Sequence, residues 1–249
     1  MKTRALILAA GRGSRMGAET ASKPKCFTLL QGKRLLDWQL EAIRNAGIEN
    51  ISIVTGYKSE LFDEGLPTFH NPRWNETNMV GSLFYADDFE GNTLISYSDI
   101  VYKSEHIVKL NQAEADITIT ADSKWESLWN LRFEDPLDDA ETFKSDENNQ
   151  LTEIGQKTDD ISNIEAQYMG LIKLTAKGWR KIKEVYESLD QKQKDKMDMT
   201  SLLNLLIDRG ISVNVVFIDG GWCESDAYSD VLAYEKEIKT NSNWEHYWR

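Results

Sequence analysis

The residues best able to do chemistry stand in three places. Near the N-terminus an apolar run breaks into glycines and cations, LILAAGRGSRMG at residues 6–17, with Ser22-Lys23-Pro24-Lys25 close behind. A later apolar stretch, LISYSD, ends on Asp99, and the segment GWCESD carries Glu224 and Asp226 two residues apart. Gly11 and Gly13 let backbone N–H groups approach an anion closely. Arg12 and Arg15 add charge-assisted donors, and Pro24 stiffens the backbone before Lys25. Two carboxylates at i and i+2 on an extended segment face one side and can share a hard cation. The basic loop is suited to phosphates, and the pair Glu224 and Asp226 to a hard cation. Each also has a plain structural use: a glycine turn with solvated cations, an Asp99 that opens a turn, an Asp226 that caps the next helix.

Spacing removes two familiar readings of the loop. The dinucleotide fingerprint GxGxxG needs a glycine where Met16 stands, and no GxxxxGK[ST] run exists anywhere. His70, His106 and His246 belong to no motif, so a Ser-His-Asp hydrolase has no sequence support.

The elements that must position these residues alternate. RALILAA (4–10), NISIVTG (50–56), NTLISYSD (92–99) and ADITITAD (115–122) read as buried strands. LLDWQLEAIRNAG (35–47) has helical spacing and a terminal glycine, and a helix is expected near 79–86. This order predicts an α/β, Rossmann-like sheet, mixed but mainly parallel, with helices on both faces. Residues 123–164 are polar, acidic and aromatic and read as a small insertion within a single domain spanning 1–249. Strand character resumes at 166–175, followed by two helices, a strand at 212–219, the loop GGWCESDAYSD and a C-terminal helix. Loop residues at strand carboxyl ends lie where open α/β sheets bind ligands.

Composition narrows the partners. With 249 residues there is length for a sizeable core. A net charge of −12 argues against a broad nucleic-acid face. Cys26 and Cys223 are the only cysteines and form no CxxC pair. No run approaches the roughly 20 apolar residues of a membrane span, and no signal peptide is evident, so a cytoplasmic protein is expected.

The string LAAGRGSRMG…KPK resembles the signature of nucleotidyltransferases that couple an NTP to a phosphorylated sugar or alcohol, L-A-A-G-x-G-x-R followed by K-P-K. Leu8, Ala9, Ala10, Gly11, Gly13, Arg15, Lys23, Pro24 and Lys25 supply every element. The resemblance implies attack by a substrate phosphate on the α-phosphorus, with pyrophosphate leaving. It also implies that Lys25 and Arg15 neutralise phosphates, and that Asp99, Glu224 and Asp226 hold Mg²⁺. Lys157, in EIGQK, aligns with the family's acceptor-phosphate lysine, although Gln156 stands where many sugar-phosphate enzymes have an acid.

HNPRWNETNMVGSL (70–83) is similar to the base-reading segment of the phosphocholine cytidylyltransferase branch, N-P-x-[YW]-x-x-[ST]-N-x-x-x-S, through Asn71, Pro72, Trp74, Thr77, Asn78 and Ser82. This implies CTP as donor, with Asn78 and Ser82 near the base. Relatives of that branch act on phosphocholine, aminoalkylphosphonates or phosphoglutamine, the last in capsule modification. Trp125 and Trp129, four apart, could box an acceptor cation with Tyr168, assisted by Asp122, Glu126 or Glu165; they could equally be core. An acceptor carboxylate would need a cation such as Arg132. The tail NSNWEHYWR, with two tryptophans, should pack on the body or on a second subunit, which leaves a homodimer open. Two alternatives stay beside the cytidylyltransferase: a sugar-1-phosphate enzyme using UTP, GTP or dTTP, and a nucleotide-binding module without catalysis.

Overall fold

The protein is described by a computed structural model covering residues 3–86 and 89–249. Seven strands form the central sheet: β1 (Arg4–Ala9), β2 (Ile51–Thr55), β3 (Thr68–His70), β4 (Thr93–Tyr97), β5 (Ile117–Asp122), β6 (Gln167–Leu174) and β7 (Asn214–Ile218). Their spatial order is β7-β5-β6-β4-β1-β2-β3. All neighbours are parallel except at β6, which runs antiparallel to both β4 and β5.

Alternation along β1 shows why the sheet carries two layers. Ala5, Ile7 and Ala9 join one core with Leu36, Leu40 and Ile43 of α1 (Leu35–Asn45). Leu6 and Leu8 join the other core, with Val80 of α2 (Met79–Leu83). A period of two thus splits a continuous apolar run between two helical layers. α3 (Ser104–Gln112) supplies Ile107 and Leu110 to the α1 side. The α2 side is completed by α5 (Ala176–Glu187), the short α6 (Gln191–Lys196) and α7 (Met199–Asp208). Thr175 and Asp198 cap α5 and α7 through their side-chain oxygens.

Residues 123–164 are more ordered than their polar composition suggested. They open with α4 (Trp125–Arg132) and continue into a ribbon of Phe143–Ser145 paired with Leu151–Ile154. The ribbon meets the sheet beside β7, where the Leu151 N–H donates to the Val213 carbonyl at 2.8 Å.

The segment expected as a loop after β7 is partly a strand. Trp222–Glu224 pairs antiparallel with Ile100–Tyr102, immediately after β4. It leads into α8 (Tyr228–Thr240). The tail then returns to the same chain: Trp244 and Trp248 are buried, and the Gly221 N–H donates to the Glu245 carbonyl at 2.7 Å. Buried His246 lies 2.9 Å from Ser127 Oγ and 3.6 Å from Asp122. Asp122 is already occupied by the Trp222 indole N–H and by backbone N–H groups of Gly220 and Lys124, so the three side chains staple the tail. No helix among the described residues is long and apolar enough to cross a membrane.

Candidate active site

A cleft opens at the carboxyl ends of β1 and β4. Leu8, Ala10, Gly11 and Gly13 line it from the loop after β1, and Asn78 and Ser82 from the start of α2. Lys25 and Asp99 line it too. Gly13 has φ +66°, and a Cβ there would stand 2.7 Å from the Lys25 side chain. Glycine is therefore required on two counts, for the left-handed backbone and for the lysine stem that crosses it. At the α2 end, buried Asn71 donates to Thr77 Oγ and to Ser82 Oγ, both at 2.9 Å, and fixes the entry to the helix. The Asn78 side chain accepts from the Met79 N–H, so its capping use is real.

The short strand pairing brings the acids together. Glu224 stands opposite Ile100, and the Ser225 N–H donates to the Asp99 carbonyl at 2.9 Å. Lys25 Nζ then sits between two carboxylates, 2.7 Å from Asp99 and 2.9 Å from Asp226. Arg15 reaches Asp226 at 2.8 Å from the exposed side. From the buried side Arg132 contacts Glu224 at 2.5 Å and Asp226 at 3.2 Å. Asp226 does not cap α8. Instead the Asp230 carboxylate accepts the N–H groups of Asp226 and Ala227, at 2.8 and 2.9 Å, and holds that backbone in place.

These contacts push the two acids of the GWCESD segment apart. Burial raises the Glu224 carboxyl, Arg132 pulls it back only in part, and neighbouring Asp226, Asp99 and Asp139 raise it further. Burial would raise Asp226 as well, but Lys25, Arg15 and Arg132 outweigh that and hold it well below the usual range. Burial works against the Lys25 ammonium, and Asp99 and Asp226 more than restore it.

The donor set fits a hard divalent cation. It is all oxygen, an ammonium already bridges Asp99 and Asp226, and Asp99 Oδ1 is buried without a hydrogen-bond partner. Among the described residues no three acids or histidines converge as a ready cage. An ion of the magnesium type is commonly held by one or two carboxylates together with substrate phosphates.

Residues 5–148 match the MobA-like NTP transferase domain. The CTP:phosphoglutamine cytidylyltransferase of Campylobacter jejuni subsp. jejuni serotype O:2 is 38% identical over 246 residues, which covers 91% of this chain and 97% of that protein. The chain belongs to the MobA-like NTP transferase family. It is a nucleotidyltransferase. The 2-aminoethylphosphonate cytidylyltransferase of Lancefieldella rimae is 36% identical over 114 residues, 43% of this chain and 46% of that protein. The solved CTP:phosphocholine cytidylyltransferase of Streptococcus pneumoniae superposes with TM-score 0.72 at 20% identity, covering 96% of this chain and all of that one. At that identity the superposition speaks for the fold.

Within this NTP transferase the other expected site residues scatter. Arg12 is exposed, its guanidinium 5.7 Å from the centre of the Tyr57 ring. Trp125 and Trp129 form no acceptor box, because both are buried in the core. They meet edge to face at 6.0 Å, and the Trp129 indole N–H donates to Asp139 at 3.0 Å. The cation that Trp129 faces is the chain's own Arg132. Arg132 is fully buried against acids and is not free for an acceptor carboxylate. Tyr168 packs edge to face on Tyr97, which lines the cleft. Glu165 is exposed and accepts from the Ser145 N–H at 3.0 Å, on the ribbon. Lys157 Nζ donates to the carbonyls of Asp138 and Asp139.

Sequence reasoning missed Asp230, Tyr97 and the role of Arg132. For Asp230 a signal existed: an acid three residues after Ala227, at the start of an amphipathic helix. Arg132 had none, because its partners are 92 or more positions away.

Proposed function

We propose that this nucleotidyltransferase uses Mg²⁺ to transfer CMP from CTP to the phosphate of a small acceptor carrying an amine, with a phosphorylated amino acid such as phosphoglutamine as the leading case. The observation that carries the reaction class is Lys25 Nζ bridging Asp99 and Asp226 in the glycine-loop cleft. Support for the donor and acceptor comes from the relative that is 38% identical along nearly the whole chain, named for CTP and phosphoglutamine.

The chemistry needs no protein nucleophile. An acceptor phosphate oxygen bonds to the α-phosphorus, the α–β bridging bond breaks, and pyrophosphate departs with the electron pair. The barrier is largely repulsion between anions and loss of freedom, so cations and positioning supply the catalysis. Gly11 and Gly13 let the triphosphate approach the backbone. Lys25 and Arg15 exchange their carboxylate partners for phosphate oxygens and follow the charge onto the leaving group. Asp99, Glu224 and Asp226 are the residues that would hold the metal. When bound, the ion withdraws charge from the α-phosphate and from pyrophosphate.

The test is pyrophosphate release with Mg²⁺, each common NTP, and a panel of phosphoglutamine, phosphocholine, phosphoethanolamine, aminoethylphosphonate and sugar 1-phosphates. Release with CTP and an amine-bearing acceptor is expected. Release with UTP, GTP or dTTP and a sugar phosphate would replace this reading by the sugar-1-phosphate one. CTP binding without release across the panel would favour the non-catalytic module.

A further inference from the structure

Three cations meet the acid cluster, and they differ in freedom. The Arg15 side chain is 67% exposed. Lys25 is largely buried, its side chain 10% exposed, and reaches its acids along a stem that crosses Gly13. Arg132 is different. It ends α4, its side chain is fully buried, and its guanidinium carbon lies 5.1 and 4.9 Å from the ring centres of Trp129 and Phe133. Trp129 is itself pinned by Asp139 and packs near Trp222, the residue two before Glu224. One Arg132 nitrogen serves Glu224, and the other serves Asp226 and Asp230, at 3.2 and 3.6 Å. Nε stays buried and without a hydrogen-bond partner. The fork is thus oriented by the acids even at the cost of a satisfied donor.

We propose that Arg132 is a positioning residue: an immobile guanidinium that sets the spacing and direction of Glu224 and Asp226, so that they keep their geometry when Lys25 and Arg15 leave for the triphosphate. Without it, the departure of Lys25 and Arg15 would leave Asp99, Glu224, Asp226 and Asp230 to repel one another. A lysine cannot substitute, since a point charge does not hold two carboxylates in a fixed plane. The proposal rests on the reading of these acids as the metal site.

The experiment measures Mn²⁺ uptake by electron paramagnetic resonance, with CTP present and no acceptor, alongside CTP affinity in EDTA and thermal melting. Arg132→Lys keeps the charge and loses the fork. The pair Arg132→Met with Asp230→Asn keeps the net charge by removing one unit of each sign, which guards against a single variant that fails to fold. In the folded variants, Mn²⁺ should bind at least tenfold more weakly than in wild type, while metal-free CTP affinity changes by less than about threefold. The half-saturating Mg²⁺ for pyrophosphate release should rise in parallel. Tight uptake in wild type with equal uptake in the folded variants would overturn this proposal alone. Wild-type protein that takes up no Mn²⁺ with CTP would overturn the metal-site reading and this proposal with it.

Discussion

At the residue scale the site is a balance of close charges, so single changes act sharply. Lys25→Met leaves Asp99 and Asp226 without the ammonium that bridges them at 2.7 and 2.9 Å. The rate of pyrophosphate release should fall by about 10²–10³, the typical loss when one stabilising donor is removed. Steady-state kinetics at saturating CTP checks this, and a less than threefold change would mean the lysine is only a structural counter-ion. Gly13→Ala places a Cβ on the Lys25 stem at φ +66°. It should cost about 1–2 kcal/mol of stability and lower the rate, because the clash displaces the same lysine. Denaturant unfolding together with the assay would separate the two effects.

At the element scale the acids meet because Trp222–Glu224 pairs with Ile100–Tyr102, and that strand is backed by the tail through Gly221 and Glu245. Removing residues 242–249 takes away two buried tryptophans and His246. The truncated chain should lose on the order of 4 kcal/mol, from about 1.5–3 kcal/mol for each large apolar side chain, and its rate should fall before it unfolds. Melting curves and activity across temperature would show this, whereas unchanged values would free the tail from any role in the site. The same pairing marks where the sequence was legible. Buried strands such as β1 (Arg4–Ala9) and β2 (Ile51–Thr55) announce themselves by continuous apolar runs, and α1 by its period. Lys25, Asp99 and Asp226 each follow such an element or a tight motif, but it was the resemblance to nucleotidyltransferases that turned them from turn and cap residues into site candidates. The short strand at Trp222 was hidden: three residues carry no period, and its partner lies more than a hundred positions away. Trp125 and Trp129 misled for the opposite reason, since aromatics four apart on a helix serve a pocket and a core equally well, and only packing against Trp222 and Asp139 decides.

At the scale of the whole molecule, buried histidines tie stability to pH. Burial, with nearby Lys109 and Lys103, depresses His106 to about 4. Burial also lowers His246, although Asp122 and Glu245 oppose it. A histidine near 6.5 when unfolded and about 4 when folded takes up protons first in the unfolded chain. Its contribution is therefore full above pH 6.5 and is lost as the pH falls towards 4, at up to about 1.4 kcal/mol per unit. Asp116, held at about 2 chiefly by Lys181, adds a separate loss only below pH 4. Urea midpoints at pH 7.5 and 5 should differ, and His106→Gln should flatten the slope; an identical slope in that variant would remove His106 from the account. The N-terminal loop, Asp99 after β4 and the acids before α8 form one transfer site in this account. It is tested most directly by ³¹P NMR of CTP and phosphoglutamine with Mg²⁺ and either wild-type protein or Asp99→Asn. The predicted result is a CDP-linked diester pair of resonances rising with pyrophosphate in the wild type and absent in the variant. Equal product formation by Asp99→Asn, or none by wild-type protein that binds both substrates, would contradict it.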